Sequence, residues 1–269
     1  MIHPTANIHP HAFVDPQAKI GAGVRVGPFA VIDADVELGE HCVVGPHVYL
    51  TGVTKIGAHN KFHCGAVIGD APQDLKYKDA PTRVRIGDHN VFREGVTVHR
   101  PTKLGEDTVI GSHNFLMANS HVAHNCIIGN HVILANGALL AGHVEVQDRA
   151  FISGNCAVHQ FCRVGTLAMM QGGTVISKDL PPFTMAHQTN IVCGLNVVGL
   201  RRVGYSTAER AELKLLYKFI FRGGNNFRPA IQEARGKFNS APSKIFLEFV
   251  AHAKRSICSD VGQKIHDDE

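Results

Sequence analysis

The sequence predicts an all-β fold, a left-handed parallel β-helix of hexapeptide repeats, followed by a small α-helical C-terminal domain. Aliphatic residues recur every six positions, first from Ile2 to Ile68 and again from Ile86 to Ile176. A period of six fits neither an α-helix nor an alternating strand, and three hexads complete one coil of a β-helix. Short, regular hexads favour the left-handed form, a known exception to the right-handed crossover rule.

Two further periodic positions support this prediction. Small residues stand two places before the aliphatic position, so both face the interior, as side chains two apart do on a strand. Glycine often follows the aliphatic position, as in Ile20-Gly21 and Ile110-Gly111. Residues eighteen apart in sequence are then expected to lie one coil apart, at the strand spacing of about 4.8 Å.

The predicted organisation has three parts: the β-helix at residues 1–185, a connecting segment at 186–205 and a helical domain at 206–269. Two prolines interrupt the repeat at 69–85, which predicts a loop. Ser206 and Glu209 have capping-box spacing and predict a helix that ends near Arg222, before two glycines. Two more helices are predicted at about 228–235 and 243–257, and the tail 264–269 is predicted to be disordered.

Composition excludes several classes of function. The longest apolar runs fall short of eighteen residues, so no membrane span is predicted. The net charge of +4 comes without a basic run, which argues against nucleic-acid binding. The seven cysteines form no CxxC pair, and the N-terminus lacks the features of a signal peptide. We therefore expect a reducing, cytoplasmic setting.

Histidines are the main candidates for chemistry. Eight of the 18 fall three places after an aliphatic position, at a predicted corner of the helix where a structural role is expected for most of them: His11, His41, His47, His59, His89, His113, His131 and His143. His121 and His124 lie outside that pattern. Steps of eighteen residues place Gly142 one coil from His124, Gln160 two coils from it, and His143 beside Asn125.

This corner suggests acid–base catalysis. A histidine is the natural general base for a hydroxyl near neutral pH, and the Gly142 amide can stabilise an oxyanion. His99 and His63 are predicted on a different face, so we expect them to reach this corner only from a neighbouring subunit. Metal binding by His121 and His124 and a purely scaffolding role remain alternatives, and the four inward cysteines are expected to be core residues.

Several motifs resemble the UDP-N-acetylglucosamine acyltransferase family over essentially the whole chain. They are the loop motif Gln73-Asp-Leu-Lys-Tyr77, the run Asn119-Ser-His-Val-Ala-His124, Ala141-Gly-His-Val144 and Val158-His-Gln-Phe-Cys162. The resemblance implies a homotrimer with its site between subunits. It also implies transfer of a 3-hydroxyacyl chain from acyl carrier protein to the 3-position of UDP-GlcNAc, the first step of lipid A synthesis, with no metal or other cofactor.

The resemblance also assigns roles to individual residues. His124 is the general base, the Gly142 amide steadies the oxyanion, and Gly172 occupies the position that limits acyl-chain length. The expected substrate-binding residues are Gln73, Asp74, Lys76, His99, His121, His143, Gln160, Asn196 and Arg202.

This chain departs from the family pattern at three positions. Asn125 follows the base where better-known members have Asp, and Val198 and Val203 replace a Glu and an Arg of the nucleotide-binding segment. A 3-amino sugar remains open as the acceptor. Alternative functions are the later N-acyltransferase of the same pathway, a CoA-dependent acetyltransferase, and a zinc enzyme of the γ-carbonic-anhydrase type.

Overall fold

A computed structural model describes residues 1–223 and 227–260. In chain order its strands are β1 (Asn7–Ile8), β2 (Phe13–Val14), β3 (Lys19–Ile20), β4 (Arg25–Val26), β5 (Val31–Ile32), β6 (Val36–Leu38), β7 (Val43–Val44), β8 (Tyr49–Leu50), β9 (Val53–Ile56), β10 (Lys61–Phe62), β11 (Val67–Asp70), β12 (Arg83–Ile86), β13 (Val91–Phe92), β14 (Thr97–His99), β15 (Asp107–Ile110), β16 (Phe115–Leu116), β17 (His121–Val122), β18 (Ile127–Ile128), β19 (Ile133–Leu134), β20 (Leu139–Leu140), β21 (Glu145–Val146), β22 (Phe151–Ile152), β23 (Ala157–Val158), β24 (Arg163–Val164), β25 (Met169–Met170), β26 (Val175–Ile176), β27 (Thr184–His187), β28 (Ile191–Leu195) and β29 (Ser259–Asp260). The helices are α1 (Val197–Arg202), α2 (Thr207–Arg222), α3 (Phe227–Lys237) and α4 (Ala241–Ala251).

The predicted left-handed parallel β-helix is confirmed, because every third strand pairs with the next to form the three faces of a prism. Face A contains β3, β6, β9, β12, β15, β18, β21 and β24. Face B runs from β1 through every third strand to β25 and then continues into β27, β28 and β29. Face C runs from β2 through every third strand to β26. In the regular coils paired residues are eighteen apart, as Ile133 and Phe151 are.

The interior is filled by the aliphatic and small positions, as predicted. Phe62 and Phe92 stack inside the prism with ring centroids 4.8 Å apart. Cys42, Cys126 and Cys156 are buried in the small-residue positions together with Cys162. Burial raises the pKa of the Cys126 thiol to about 12, so this thiol stays protonated and serves as a core residue.

Most of the corner histidines are structural, also as predicted. Seven of the eight adopt positive φ, a left-handed conformation in which His is enriched among non-glycine residues. Five of them stack ring on ring along one corner, at centroid spacings of 4.7 to 5.2 Å: His41, His59, His89, His113 and His131. This stack follows from the repeat itself and involves none of the candidate catalytic residues.

Two excursions leave the prism, where the sequence predicted one. Residues 71–82 lie between β11 and β12, within the predicted loop, and residues 100–106 lie between β14 and β15. The second excursion contains Leu104, which matches the aliphatic period but is 67% exposed. Each excursion lengthens its coil by a multiple of six residues and so preserves the period. The paired residues Lys61 and Val91 are 30 apart, and Val91 and Phe115 are 24 apart.

The C-terminal part packs against the last coils. The segment expected to connect the domains contains β28 and α1, and β28 pairs antiparallel with β27. The capping box of α2 is present as predicted, with Ser206 and Glu209 bonded in both directions. Helix α4 ends at Ala251, short of the predicted end near 257, because residues 252–260 turn back and Cys258 donates its N–H to the Asp179 carbonyl.

The predicted disordered tail, 264–269, lies outside the described residues. Among the residues that the structure describes, no helix has both the length and the apolar character needed to cross a membrane.

Candidate active site

One edge of the prism, between faces C and A, carries all the predicted catalytic residues. The excursions 71–82 and 100–106 both leave the helix at this edge, on successive coils. The next two coils place the turns His124-Asn125 and Gly142-His143 at the same edge, because β17 and β20 follow β14 in the ladder of face C. The two excursions therefore border the turn that contains the candidate base.

A pocket of about 660 Å³ opens on face C at this edge. Five predicted site residues line it together: Gln73, His99, His121, His124 and Gly142. Leu139, Ala157 and Val175 form an apolar wall, and His159 stands at the same opening. The pocket thus joins polar groups that can hold a sugar to an apolar surface that can hold a hydrocarbon chain.

The His124 ring lies directly over Gly142. A Cβ built on Gly142 would stand 2.6 Å from His124 Nε2 and closer still to Cε1, so a side chain here would displace the ring. The Gly142 N–H has no hydrogen-bond acceptor within the described part of the chain, which leaves it available to a ligand. The candidate base and the candidate oxyanion donor are adjacent, as the spacing of eighteen residues predicts.

Polar neighbours surround the His124 ring. Its Nε2 is 4.0 Å from Asp74 Oδ2 on the first excursion, and its Nδ1 is 2.8 Å from Asn125 Oδ1. The His143 ring meets it edge-on, with centroids 5.3 Å apart, and stacks on Phe161. Burial, then the nearby His124, lowers the pKa of His143, which therefore contacts the site as a neutral ring.

The expectation that His99 reaches the site only from a neighbouring subunit is wrong. His99 and His121 lie in one chain with ring centroids 4.8 Å apart. The prediction failed because it counted eighteen residues per coil, whereas the second excursion makes Thr97 the partner of His121, twenty-four residues later. His99 thereby comes to the same face as His121.

Both histidines are neutral at physiological pH. Burial, then the neighbouring His99 and His124, lowers the pKa of His121 to about 4. Burial also lowers the pKa of His99, although Asp70 opposes this shift. His121 Nδ1 lies 2.7 Å from Thr97 Oγ1, which fixes its ring orientation. The two rings therefore offer hydrogen bonds to a ligand rather than positive charge.

Known proteins resemble this chain over most of its length. A sequence profile described as bacterial transferase hexapeptide matches residues 17–52 and 107–142, and one described as UDP N-acetylglucosamine O-acyltransferase, domain 2, matches residues 179–258. An acyl-[acyl-carrier-protein]–UDP-N-acetylglucosamine O-acyltransferase from Halorhodospira halophila is 46% identical over 253 residues, covering 93% of this chain and 98% of that protein. The chain belongs to the UDP-N-acetylglucosamine O-acyltransferase family.

Other members of the family match over similar lengths. The enzyme of Stutzerimonas stutzeri is 44% identical, with 93% of this chain and 98% of that protein covered. The crystal structure of the Bacteroides fragilis UDP-N-acetylglucosamine acyltransferase superposes with a TM-score of 0.90 at 38% identity, over 93% of this chain and 99% of that one. The Acinetobacter baumannii structure gives 0.90 at 36% identity, over 93% and 98%. The chain is therefore an acyltransferase, which favours the main prediction over the zinc-enzyme alternative.

Six substrate-binding residues that the resemblance assigned to the acyltransferase site do not line this pocket, and two of them, Asp74 and His143, are the neighbours of the His124 ring described above. Lys76 is exposed on the first excursion, where its backbone N–H donates to Asp74 Oδ1 at 2.8 Å. Gln160 is exposed on the coil beyond Gly142. Asn196 caps α1, and Arg202 is exposed at that helix's end.

Gly172 also lies outside the pocket lining, at a corner of the prism between β25 and β26. A Cβ built there would meet only the Gly154 carbonyl oxygen, at 3.7 Å, which is ordinary van der Waals contact. Relief of crowding therefore does not account for the glycine, and the corner has open space beside it.

Sequence reasoning missed the residues that support the site without lining the pocket. Glu106 and Thr102 belong to the second excursion, which the unbroken six-residue period concealed. Arg100 binds the first excursion to the prism through Tyr77. One signal was present in the sequence: a proline and three charged residues, Pro101, Lys103, Glu106 and Asp107, are concentrated around Leu104.

Within residues 1–223 and 227–260, no group of three or more His, Cys, Asp or Glu side chains is arranged to hold a metal ion.

Proposed function

We propose that this acyltransferase moves a 3-hydroxyacyl chain from acyl carrier protein to the 3-position of UDP-N-acetylglucosamine, the first step of lipid A synthesis. The observation that carries the proposal is the pairing of His124 with the unoccupied N–H of Gly142 at the mouth of a half-apolar pocket. The names of the close relatives supply the carrier protein and the sugar nucleotide.

The proposed reaction is a direct transfer. His124 Nε2 accepts the proton of the sugar 3-hydroxyl as that oxygen attacks the thioester carbonyl. The new oxyanion accepts a hydrogen bond from the Gly142 N–H. Collapse of this intermediate breaks the carbon–sulfur bond, and His124 returns the proton to the departing thiolate. The ester forms, the carrier leaves as a free thiol, and His124 ends in its starting state.

Sugar and phosphate groups are assigned to the polar residues around His124. His99 Nδ1 is buried without a hydrogen-bond partner among the described residues, and such an atom carries a desolvation cost that a ligand oxygen would offset. Gln73 and Asp74 approach from the first excursion, with Lys76 beside them for a phosphate. His121, His143 and Gln160 complete the proposed set.

The nucleotide is assigned to the region around α1. The Asn196 side chain uses one oxygen lone pair and one N–H to hold Gly199 and Leu167, which leaves one of each for the nucleotide. Arg202 supplies a positive charge at the end of the helix. Val198 and Val203 are exposed nearby and offer no polar group, so uridine contacts depend on backbone atoms and on these two polar residues.

A homotrimer with interfacial sites is proposed on family resemblance and on exposed apolar side chains. Leu139 and Val175 on face C are 48% and 42% exposed, and Ile127 on face A is 53% exposed. A neighbouring subunit would cover this surface and enclose the pocket's open side. The acyl chain would then lie along the prism between subunits, towards Gly172.

A direct assay tests the proposal. The purified protein is incubated with UDP-GlcNAc and acyl carrier protein thioesters of 3-hydroxy acids of graded length. We expect a 3-O-acyl ester and free carrier thiol in equal amounts. UDP-sugar with a 3-amino group is tested in parallel, because an amide product would identify the amine as the true acceptor. Thioester consumption without an acylated sugar nucleotide would contradict the proposal.

A further inference from the structure

The Asn125 side chain connects the candidate base to a carboxylate. Its Oδ1 is 2.8 Å from His124 Nδ1, and its Nδ2 is 2.5 Å from Glu106 Oε2. The Thr102 N–H also points to Oδ1, at 3.3 Å. Asn125 is 9% exposed, so its carboxamide is nearly enclosed by these three partners. An amide thus stands between imidazole and carboxylate.

The partners leave only one orientation of the carboxamide. An ionised carboxylate accepts hydrogen bonds and cannot donate them, so the Asn125 amino group must face Glu106. The amide oxygen then faces His124 and also accepts from the Thr102 N–H. Because an oxygen can only accept from the ring, Nδ1 of His124 carries the proton, and Nε2 presents its lone pair to the pocket.

We propose that Asn125 and Glu106 are positioning residues that hold His124 in the tautomer competent to act as a base. Glu106 acts through Asn125 and touches neither substrate nor His124. Its charge polarises the carboxamide and strengthens the acceptor that faces Nδ1. This inference rests on the proposed function, because the tautomer matters only if His124 Nε2 takes a proton.

A purely structural role for Asn125 explains less of the geometry. Its backbone has φ of 62°, a conformation that Asn tolerates well, and this alone would favour Asn at the corner. The turn is already held by the Asn125 N–H, which donates to Thr108 Oγ1 at 2.9 Å. The side chain is therefore not needed to hold the turn, yet its amide oxygen and its amino group both make hydrogen bonds.

Two exchanges and their combination test the proposal. In Glu106→Gln the carboxamide of Asn125 loses the carboxylate that fixes its amino group, and only the longer contact from the Thr102 N–H still favours the parent orientation. In Asn125→Asp two carboxylates face each other. The double variant restores a consistent chain, because the new amide at position 106 donates to the new carboxylate at position 125, which in turn accepts from His124 Nδ1–H. Aspartate also tolerates the left-handed corner, so the fold is retained.

We expect each single exchange to lower kcat on the order of tenfold to a hundredfold, with a smaller change in KM. The double variant should recover to within about threefold of the parent, as coupled groups in one network do. The matched control is Glu40→Gln, which makes the same change at an exposed carboxylate on an early coil and should leave kcat unchanged. If kcat of the double variant falls by the product of the two single-variant factors, the proposal is overturned.

A second measurement does not depend on turnover. Nitrogen-15 NMR of histidine-labelled protein reports which ring nitrogen carries the proton, and His124→Ala identifies the signal. We expect the His124 ring to carry its proton on Nδ1 in the parent and in the double variant. In Glu106→Gln we expect a fraction of the His124 rings to carry it on Nε2 instead. An unprotonated Nδ1 in the parent, or an unchanged tautomer in Glu106→Gln, would refute the positioning role. If the parent transfers no acyl group but shows this pattern, the proposed function fails instead.

Discussion

The rings of His99 and His121 meet edge to face within a single chain, with centroids 4.8 Å apart. His124 lines the same pocket, so one protomer supplies all three histidines. A shared site between subunits therefore cannot be inferred from these residues, and a neighbouring subunit would contribute by covering the pocket.

Subunit mixing provides the first prediction. Under the proposed trimer, mixing His99→Ala and His124→Ala chains should restore no activity, because every site would contain one defect or the other. The measurement is acyl transfer after confirmed subunit exchange. A mixture of parent and His124→Ala chains is the control and should show activity in proportion to the parent. Recovery in the first mixture would show that the two histidines act from different chains.

The pH dependence of stability provides the second prediction. His121 has a folded-state pKa of about 4 against an ordinary 6.5, so between these values the unfolded chain binds a proton that the folded protein does not. Its contribution is present above pH 6.5 and is lost as pH falls towards 4. The full loss is up to roughly 3 kcal/mol.

Urea unfolding at pH 7.5 and pH 5.0 measures this effect. His121→Asn, which keeps a polar group near Thr97, should show a smaller stability difference between the two pH values than the parent does. His3→Asn is the control, because His3 also bonds a threonine hydroxyl, at 2.9 Å, but is exposed. Equal pH dependence in the parent and His121→Asn would contradict the assigned shift.

The six-residue repeat made the fold predictable from the sequence. Counting residues along the repeat also limited what could be predicted of the candidate site. Each hexad that stays on the prism places an aliphatic or aromatic residue inside, so the faces, the core and most of the structural histidines follow from the sequence alone. The pairing of His124 with Gly142 follows too, because the coils between them have no insertion.

The same arithmetic failed at His99 and Glu106. An insertion of six residues leaves the six-residue period intact, so Leu104 matches the core pattern although it is 67% exposed. Whether a hexad stays on the prism depends on whether its side chains pack, and packing is a property of neighbouring coils. The contact between Glu106 and Asn125 was therefore invisible in the sequence.

The third prediction concerns Arg100, which holds the first excursion against the prism. Its guanidinium donates to the Gly69 carbonyl at 3.0 Å and to the Tyr77 hydroxyl at 2.9 Å. Arg100→Ala should release the segment that carries Asp74 and Lys76, and should lower kcat/KM by about tenfold or more through misplacement. Trypsin should cleave faster at Lys76 and Lys78.

The control for this variant is Arg85→Ala, which removes an exposed arginine paired with Asp107 on face A. It should change neither the kinetics nor the cleavage pattern. If Arg100→Ala is cleaved no faster than the parent and keeps its kcat/KM, the excursion does not depend on this arginine.

The fourth prediction concerns acyl length. Gly172 has open space beside it, so a long chain can pass, and Gly172→Met should narrow that passage. We expect a shift of at least tenfold in relative kcat/KM towards shorter 3-hydroxyacyl donors, since one methylene in an apolar pocket discriminates by roughly 1–3 kcal/mol. The measurement is competition between donors of two lengths. A parent that already prefers short donors, or an unmoved preference in the variant, would remove Gly172 from this role.

The most direct measurement is the turnover of His124→Ala with UDP-GlcNAc and the best 3-hydroxyacyl carrier thioester. Removal of a general base costs about 10²–10⁴-fold, so kcat/KM should fall by that amount while circular dichroism and oligomeric state match the parent. A correctly folded His124→Ala protein with near-parental turnover would contradict the account.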